Sequence, residues 1–306
     1  MKIKTLSILG IILLAINVQA QEVNKSPSEL PHPHTHSHYL PHVHSYQFDP
    51  QNARDGESVE YCMTHKRMNE LETSPEWAAI LDTTRILKAQ ARAEEVHHTA
   101  KGTIYYIPVV FHILHNGGIE NISNDQIHDA IEILNLDFSL QNTDAANVVQ
   151  AFNASNPNAQ SIPANAEIQF RLATKAPNGD CFSGITRTQS TLSYVTSTNQ
   201  GQDQVNAVAN GNNVYQGSWP GDEYLNVFIC GDVGGAAGYT YTPQFGFTGM
   251  NNGIWLLHNY IGSIGTGSAF TSRALTHEVG HWLDLQHQQL FSFQIFLLNT
   301  QYQKLE

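Results

Sequence analysis

Basic side chains are scarce in this 306-residue chain: 15 Lys and Arg stand against 27 Asp and Glu, a net charge of −12 with histidine neutral. A surface of that sign repels phosphate backbones and anionic lipid, which argues against nucleic acid or a membrane surface as partner. Cysteine is scarcer still, with three residues in all, so the chain is no disulfide scaffold. The apolar run at the N-terminus, Leu6 to Val18, is shorter than the roughly 20 residues that cross a bilayer. No internal repeat, heptad or collagen period occurs. The remainder is ordinary globular stock, 41% hydrophobic and 9% aromatic, enough for one catalytic-size core with accessory segments.

The first twenty residues run from Met1-Lys-Ile-Lys4 through the apolar stretch to Gln19-Ala20, the pattern of a secretory signal peptide over 1–20. Export implies a secreted, extracellular protein without a membrane attachment after cleavage, and makes disulfides permissible. Residues 21–58 carry Pro, Ser and His without apolar periodicity and read as a disordered leader. His32, His34, His36 and His38 alternate there, and on an extended chain they share one side and could chelate metal weakly.

A helical proregion is expected over 59–102. Its clearest signal is Ser74 as N-cap, Pro75 at the first helical position, Glu76 in the first turn, and Trp77, Ile80, Leu81 and Leu87 at helical spacing. A domain over 103–287 then opens with a run of β-branched and aromatic residues up to Leu114, a buried strand in which Pro108 is the discordant residue. Ser123 to Phe138 reads as a helix: Ser123 and Gln126 form a capping box, and Ile127, Ala130, Ile131, Leu134 and Phe138 make one apolar stripe. Ile168 to Leu172 alternates and ends near the Asn178-Gly179 turn. Further strands are expected at 224–230, 239–242 and 253–258. Cys181 and Cys230 fall at the ends of two expected strands and are the expected disulfide pair, which leaves Cys62 over.

The chemistry sits in Thr276-His-Glu-Val-Gly-His-Trp-Leu-Asp-Leu-Gln-His287. On a helix, His277 and His281 project to one side while Leu275, Val279, Trp282 and Leu283 cluster on the other. Three imidazoles with one open position suit catalytic zinc. Glu278, beside the ligand pair, can take a proton from a zinc-activated water and pass it to a leaving amine. The reading is therefore His277, His281 and His287 as Zn2+ ligands and Glu278 as general base of a zinc-dependent endopeptidase acting on protein or peptide. A second reading, from another class, is a non-catalytic secreted zinc-binding protein in which the leader and motif histidines sequester metal.

From these residues the chain resembles the pappalysin branch of the metzincin metalloproteases. Upstream segments that share the likeness are Ile107-Pro-Val-Val-Phe-His112, Asn121-Ile-Ser-Asn-Asp-Gln-Ile127, Pro177-Asn-Gly with Gly184-Ile-Thr-Arg187, and Tyr224-Leu-Asn-Val-Phe-Ile-Cys230. The resemblance implies an α/β (α+β) fold: a twisted mixed five-stranded sheet with a backing helix and an active-site helix, whose edge strand around Gly238 to Tyr241 takes extended peptide by β-augmentation. It also implies a zymogen, because Tyr61-Cys-Met-Thr64 is similar to the proregion stretch in which a Cys thiolate blocks the metal; Cys62 is the latency-switch candidate. Two departures stand out. Asp284 replaces the glycine at which the motif helix turns, a conformation that Asp tolerates at a cost of roughly 1–2 kcal/mol. Residues 288–306 form an atypical tail without methionine, so the family's C-terminal subdomain is expected to be missing.

Overall fold

Tyr105–His115 forms the central strand β1, buried from Val109 to Leu114. A strand covered on both faces needs such a run, because its side chains alternate between them. This computed structural model describes residues 53–54, 56–93, 104–145, 165–244, 247–285 and 287. The signal segment, the leader histidines and the tail read above lie outside the described residues. β2, Ile168–Leu172, and β3, Ile185–Gln189, lie parallel to successive halves of one edge of β1. On the other side follow β4, Leu225–Cys230, then β6, Gly253–Leu257, both parallel, and finally the antiparallel edge strand β5, Gly238–Thr240. The expected mixed sheet thus has five positions but six strands, since β2 and β3 share one of them.

Pro108 fits inside β1 for a geometric reason. Tyr105 N–H donates to Glu167 O and Val109 O accepts from Ala173 N, so odd-numbered backbone groups face β2 and the missing N–H of Pro108 points the other way. There β4 has not yet begun, because its first residue, Leu225, pairs with Val109.

Five α-helices are described: α1 Thr64–Thr73, α2 Ala78–Ala93, α3 Asn124–Phe138, α4 Gln200–Gly211 and α5 Ala274–Trp282. Ser74 does not cap the start of a helix as expected. Its N–H donates to Leu71 O at the end of α1, and its carbonyl accepts from Trp77 N, so Ser74 to Trp77 is a turn between two helices. The polar sequence of α1 hid it, since Met68 and Leu71 are too few for an apolar stripe. α3 keeps half of the expected capping box: Ser123 accepts from Gln126 N at 3.2 Å, but the Gln126 amide reaches His258 O and Ile261 O instead of returning to the cap.

Gly238 points toward α5, where an added Cβ would lie 3.2 Å from Glu278 Cγ and 2.5 Å from Leu256 Cδ2. Alternation then sends Tyr239 to the opposite face. Tyr239, Trp255, Phe228 and His112 stack there in a row at centroid spacings of 4.9, 5.0 and 5.1 Å. α4, which the sequence reading did not anticipate, covers this row and binds the Tyr239 hydroxyl through Gln200. The sheet therefore lies between α4 and the α3 and α5 pair.

Candidate active site

α5 is buried along its whole length. Leu275, Val279 and Trp282 pack into the core, and Trp282 Nε1 donates to Asn252 Oδ1 at 2.9 Å. Its first turn is tied to α3: Arg273 pairs with Asp137 at 2.7 Å, and Thr276 Oγ1 donates to the same carboxylate at 2.7 Å. These contacts fix the rotation of the helix about its axis, and with it the direction in which His277 and His281 point.

The two histidines do project from the side opposite the core stripe, but they are only 3% and 2% exposed, because residues 60–64 lie over them. His281 Nε2 stands 3.2 Å from His277 Nε2 and 3.2 Å from His287 Nε2. Cys62 Sγ approaches the same nitrogen at 3.5 Å, and the four donor atoms lie within 4.8 Å of one another. Tetrahedral zinc, with bonds of about 2.0–2.1 Å to nitrogen and about 2.3 Å to sulfur, separates its nitrogen ligands by about 3.3 Å and nitrogen from sulfur by about 3.6 Å. The donor set and its spacing fit that ion.

Second contacts support the same fit. Leu285 O lies 2.8 Å from His281 Nδ1; a carbonyl can only accept, so Nδ1 carries the proton and Nε2 keeps its lone pair for a metal. Burial lowers the pKa of His281 to about 4 and that of His277 well below the usual range, which favours the neutral, ligating form. His287 reaches the cluster because the chain turns at Asp284, whose φ of 72° is left-handed. Asp284 thus adopts the conformation expected of it, and its carboxylate is held by Lys88 from α2 at 2.6 Å.

Glu278 lies on the same turn, 1% exposed. Burial pushes its carboxyl up to about 8, against hydrogen bonds from Cys62 and Thr64. The Thr64 hydroxyl donates to Glu278 Oε2 at 3.0 Å and accepts from Thr240 N of the edge strand at 3.0 Å. Around it the segment runs parallel to β5, with Glu60 N donating to Gly235 O, Ala237 N to Glu60 O, and Met63 N to Gly238 O. The edge that resemblance assigned to peptide is occupied here by the chain's own residues 60–64.

The structure brings together His277, Glu278, His281, His287 and Cys62, which are far apart in sequence only where Cys62 is concerned. The sequence assigns Thr64 no role beyond its place two residues after Cys62, and Arg67 and Lys88 carry no signal in it. The expected Cys181–Cys230 disulfide is absent: both thiols are free, with Cys181 exposed and Cys230 buried. Cys181 pairs with Lys175, whose carbonyl binds Tyr224 next to the start of β4, whereas Cys230 ends that strand. A six-residue strand puts about 16 Å between those ends, and a disulfide needs Cα atoms less than about 7 Å apart.

No described helix is long and apolar enough to cross a membrane. Residues 208–292 match the peptidase family described as pregnancy-associated plasma protein-A. A stretch of 67 residues is 34% identical to an extracellular metalloprotease of Colletotrichum graminicola, covering 21% of this chain and 24% of that protein. The chain therefore spans about a quarter of the length of that relative. A Tannerella forsythia promirolysin mutant superposes with a TM-score of 0.54 at 28% identity over 74% of this chain and 69% of its own. Mirolysin in complex with a compound gives 0.50 at 34% identity over 60% and 65%. Over residues 208–292 in sequence, and in fold over most of the chain, the protein is similar to the pappalysin-type metzincin metalloproteases.

Proposed function

We propose that this chain is the secreted zymogen of a zinc-dependent endopeptidase, with His277, His281 and His287 holding the metal, Glu278 as general base and Cys62 as the latency switch. The observation that carries the reading is the convergence of three imidazole nitrogens and one thiol, 3.2 Å and 3.5 Å from His281 Nε2, beside a buried carboxylate. Zinc held there supplies Lewis acidity toward a water and toward the scissile carbonyl. Glu278 takes the proton released by the attacking water and delivers it to the departing amine nitrogen. The backbone groups of Ala237, Gly238 and Thr240, which now pair with residues 60–64, hold an extended peptide once the segment has left. A purely sequestering zinc protein has no use for Glu278 or for a covered strand edge.

The test measures zinc content and cleavage of denatured casein after removal of the proregion. One zinc per chain, lost in His281→Ala, with cleavage abolished in Glu278→Ala, is the expected result. Stoichiometric zinc with no cleavage by the unaltered site would overturn the peptidase reading.

A further inference from the structure

The segment that covers the histidine cluster has a second hold on the molecule, on the other side of the sheet. α1 straddles the edge strand: Thr64 turns toward Glu278, and three residues later Arg67 turns toward Tyr239, whose ring lies on the α4 face. Arg67 is 1% exposed. Its guanidinium carbon stands 4.3 Å from the centroid of the Tyr239 ring, within cation–π range, and Nη2 donates to Gln200 Oε1 at 2.9 Å.

The surroundings are shaped for this group. Gln204 Nε2 donates to Asp232 O at 2.9 Å and to Leu192 O at 3.2 Å, which fixes its amide and turns its oxygen to Gln200 Nε2. That in turn fixes Gln200 with its oxygen toward Arg67 and the Tyr239 hydroxyl, the latter donating at 3.0 Å. Gly234 closes the third side: its φ is +78°, and a Cβ there would lie 3.0 Å from Nη2. Gln200, Gln204 and Tyr239 are all buried, so the acceptor is oriented by neighbours and not by solvent.

We propose that Tyr239, Gln200 and Gly234 form a guanidinium-binding cradle, and that Arg67 in it is a second latch holding residues 60–73 on the edge strand independently of the Cys62 thiol. This rests on reading that segment as inhibitory. The two latches lie on opposite faces of the sheet, so freeing the thiol leaves the edge covered; the segment departs only when Arg67 also leaves. Arg67 acts here as a positioning residue and touches none of the reacting atoms.

The test is amide hydrogen exchange on the full, zinc-loaded chain, read at Ala237 and Thr240, whose N–H groups donate to Glu60 and Thr64. Arg67→Ala is expected to speed exchange at both amides at least tenfold, and to do so again in a Cys62→Ala chain, where the thiol hold is already gone, because independent contacts add. Gln200→Leu should reproduce Arg67→Ala, with the double variant no faster than either single one, because both remove the same contact. Arg67→Lys keeps the charge and stem but not the planar fork and should fall between; it serves if Arg67→Ala loses protection in β1 and β4. Unchanged exchange in Arg67→Ala, or additive effects of Arg67→Ala and Gln200→Leu, would overturn the latch. If instead Cys62 in the unaltered chain is alkylated as fast as a free thiol, it is the latency reading that fails.

Discussion

Replacing Thr64 with valine removes one oxygen atom at nearly constant volume and disconnects the covering segment from the site's carboxylate and strand edge together. The hydroxyl donates to Glu278 Oε2 and accepts from Thr240 N, both at 3.0 Å, and is 2% exposed. With the Glu278 carboxyl pushed up to about 8, the bond it accepts at neutral pH is one between neutral groups and contributes about 0.5–1.5 kcal/mol, and an unsatisfied buried N–H costs about 1–3 kcal/mol. Because both groups share one oxygen, we take about 3 kcal/mol for the pair. In the open state Glu278 and Thr240 N are solvated, so the full difference falls on the opening equilibrium, a shift of about a hundredfold at about 1.4 kcal/mol per decade. The assay is the rate at which iodoacetamide alkylates Cys62 in the zinc-loaded chain, followed by mass spectrometry at fixed pH. Thr64→Val should accelerate it about a hundredfold, and Thr64→Ser should restore the original rate. An acceleration below threefold in Thr64→Val would refute the argument that this hydroxyl ties the segment down.

Stability should fall on acidification in a way traceable to His112. Its ring is fully buried between Thr186 Oγ1 at 2.8 Å and Asn226 Oδ1 at 3.0 Å, and burial lowers its pKa to about 4. The unfolded chain then binds the extra proton below about pH 6.5, so this contribution is intact above that pH and lost progressively toward pH 4, about 3 kcal/mol in all; urea unfolding of wild type and His112→Gln should differ in pH slope over that window and not above it. Asp284→Gly relieves a left-handed backbone at φ 72° but discards the partner of Lys88. In a Lys88→Ala background, where that ion pair is already gone, relief of the left-handed backbone should stabilise the chain by about 1 kcal/mol in urea titration; destabilisation there would mean that other contacts of the Asp284 side chain outweigh the backbone term.

The histidine and glutamate cluster was legible because it is local. His277, Glu278, His281 and His287 lie within eleven residues, and helix geometry alone puts the first and third of them on one side. The strands β1, β4 and β6 were legible for a related reason: they are buried on both faces, and continuous apolar runs mark such strands. α1 was not, because its burial depends on Thr64, Arg67 and Leu71 meeting partners elsewhere in the chain. The Cys181–Cys230 pairing failed for the same reason in reverse: Cys230 ends β4, whereas Cys181 sits in an isolated bridge with Lys175, whose carbonyl binds Tyr224 next to the start of that strand.

The amino-acid order by itself determined which side chains could ligate a metal, which carboxylate stood beside them, and that Asp284 had to accept a strained turn if the third histidine was to reach the other two. Only the tertiary structure decided that Cys62, 219 residues away, sits 3.5 Å from His281, that Thr64 joins Glu278 to the strand edge, and that Arg67 reaches around that edge to Tyr239. The physical reason is range. Helix periodicity and turn conformation are set by neighbours a few residues apart, whereas the position of a covering segment follows from backbone pairing to β5 and from buried contacts that exist only after the sheet has formed.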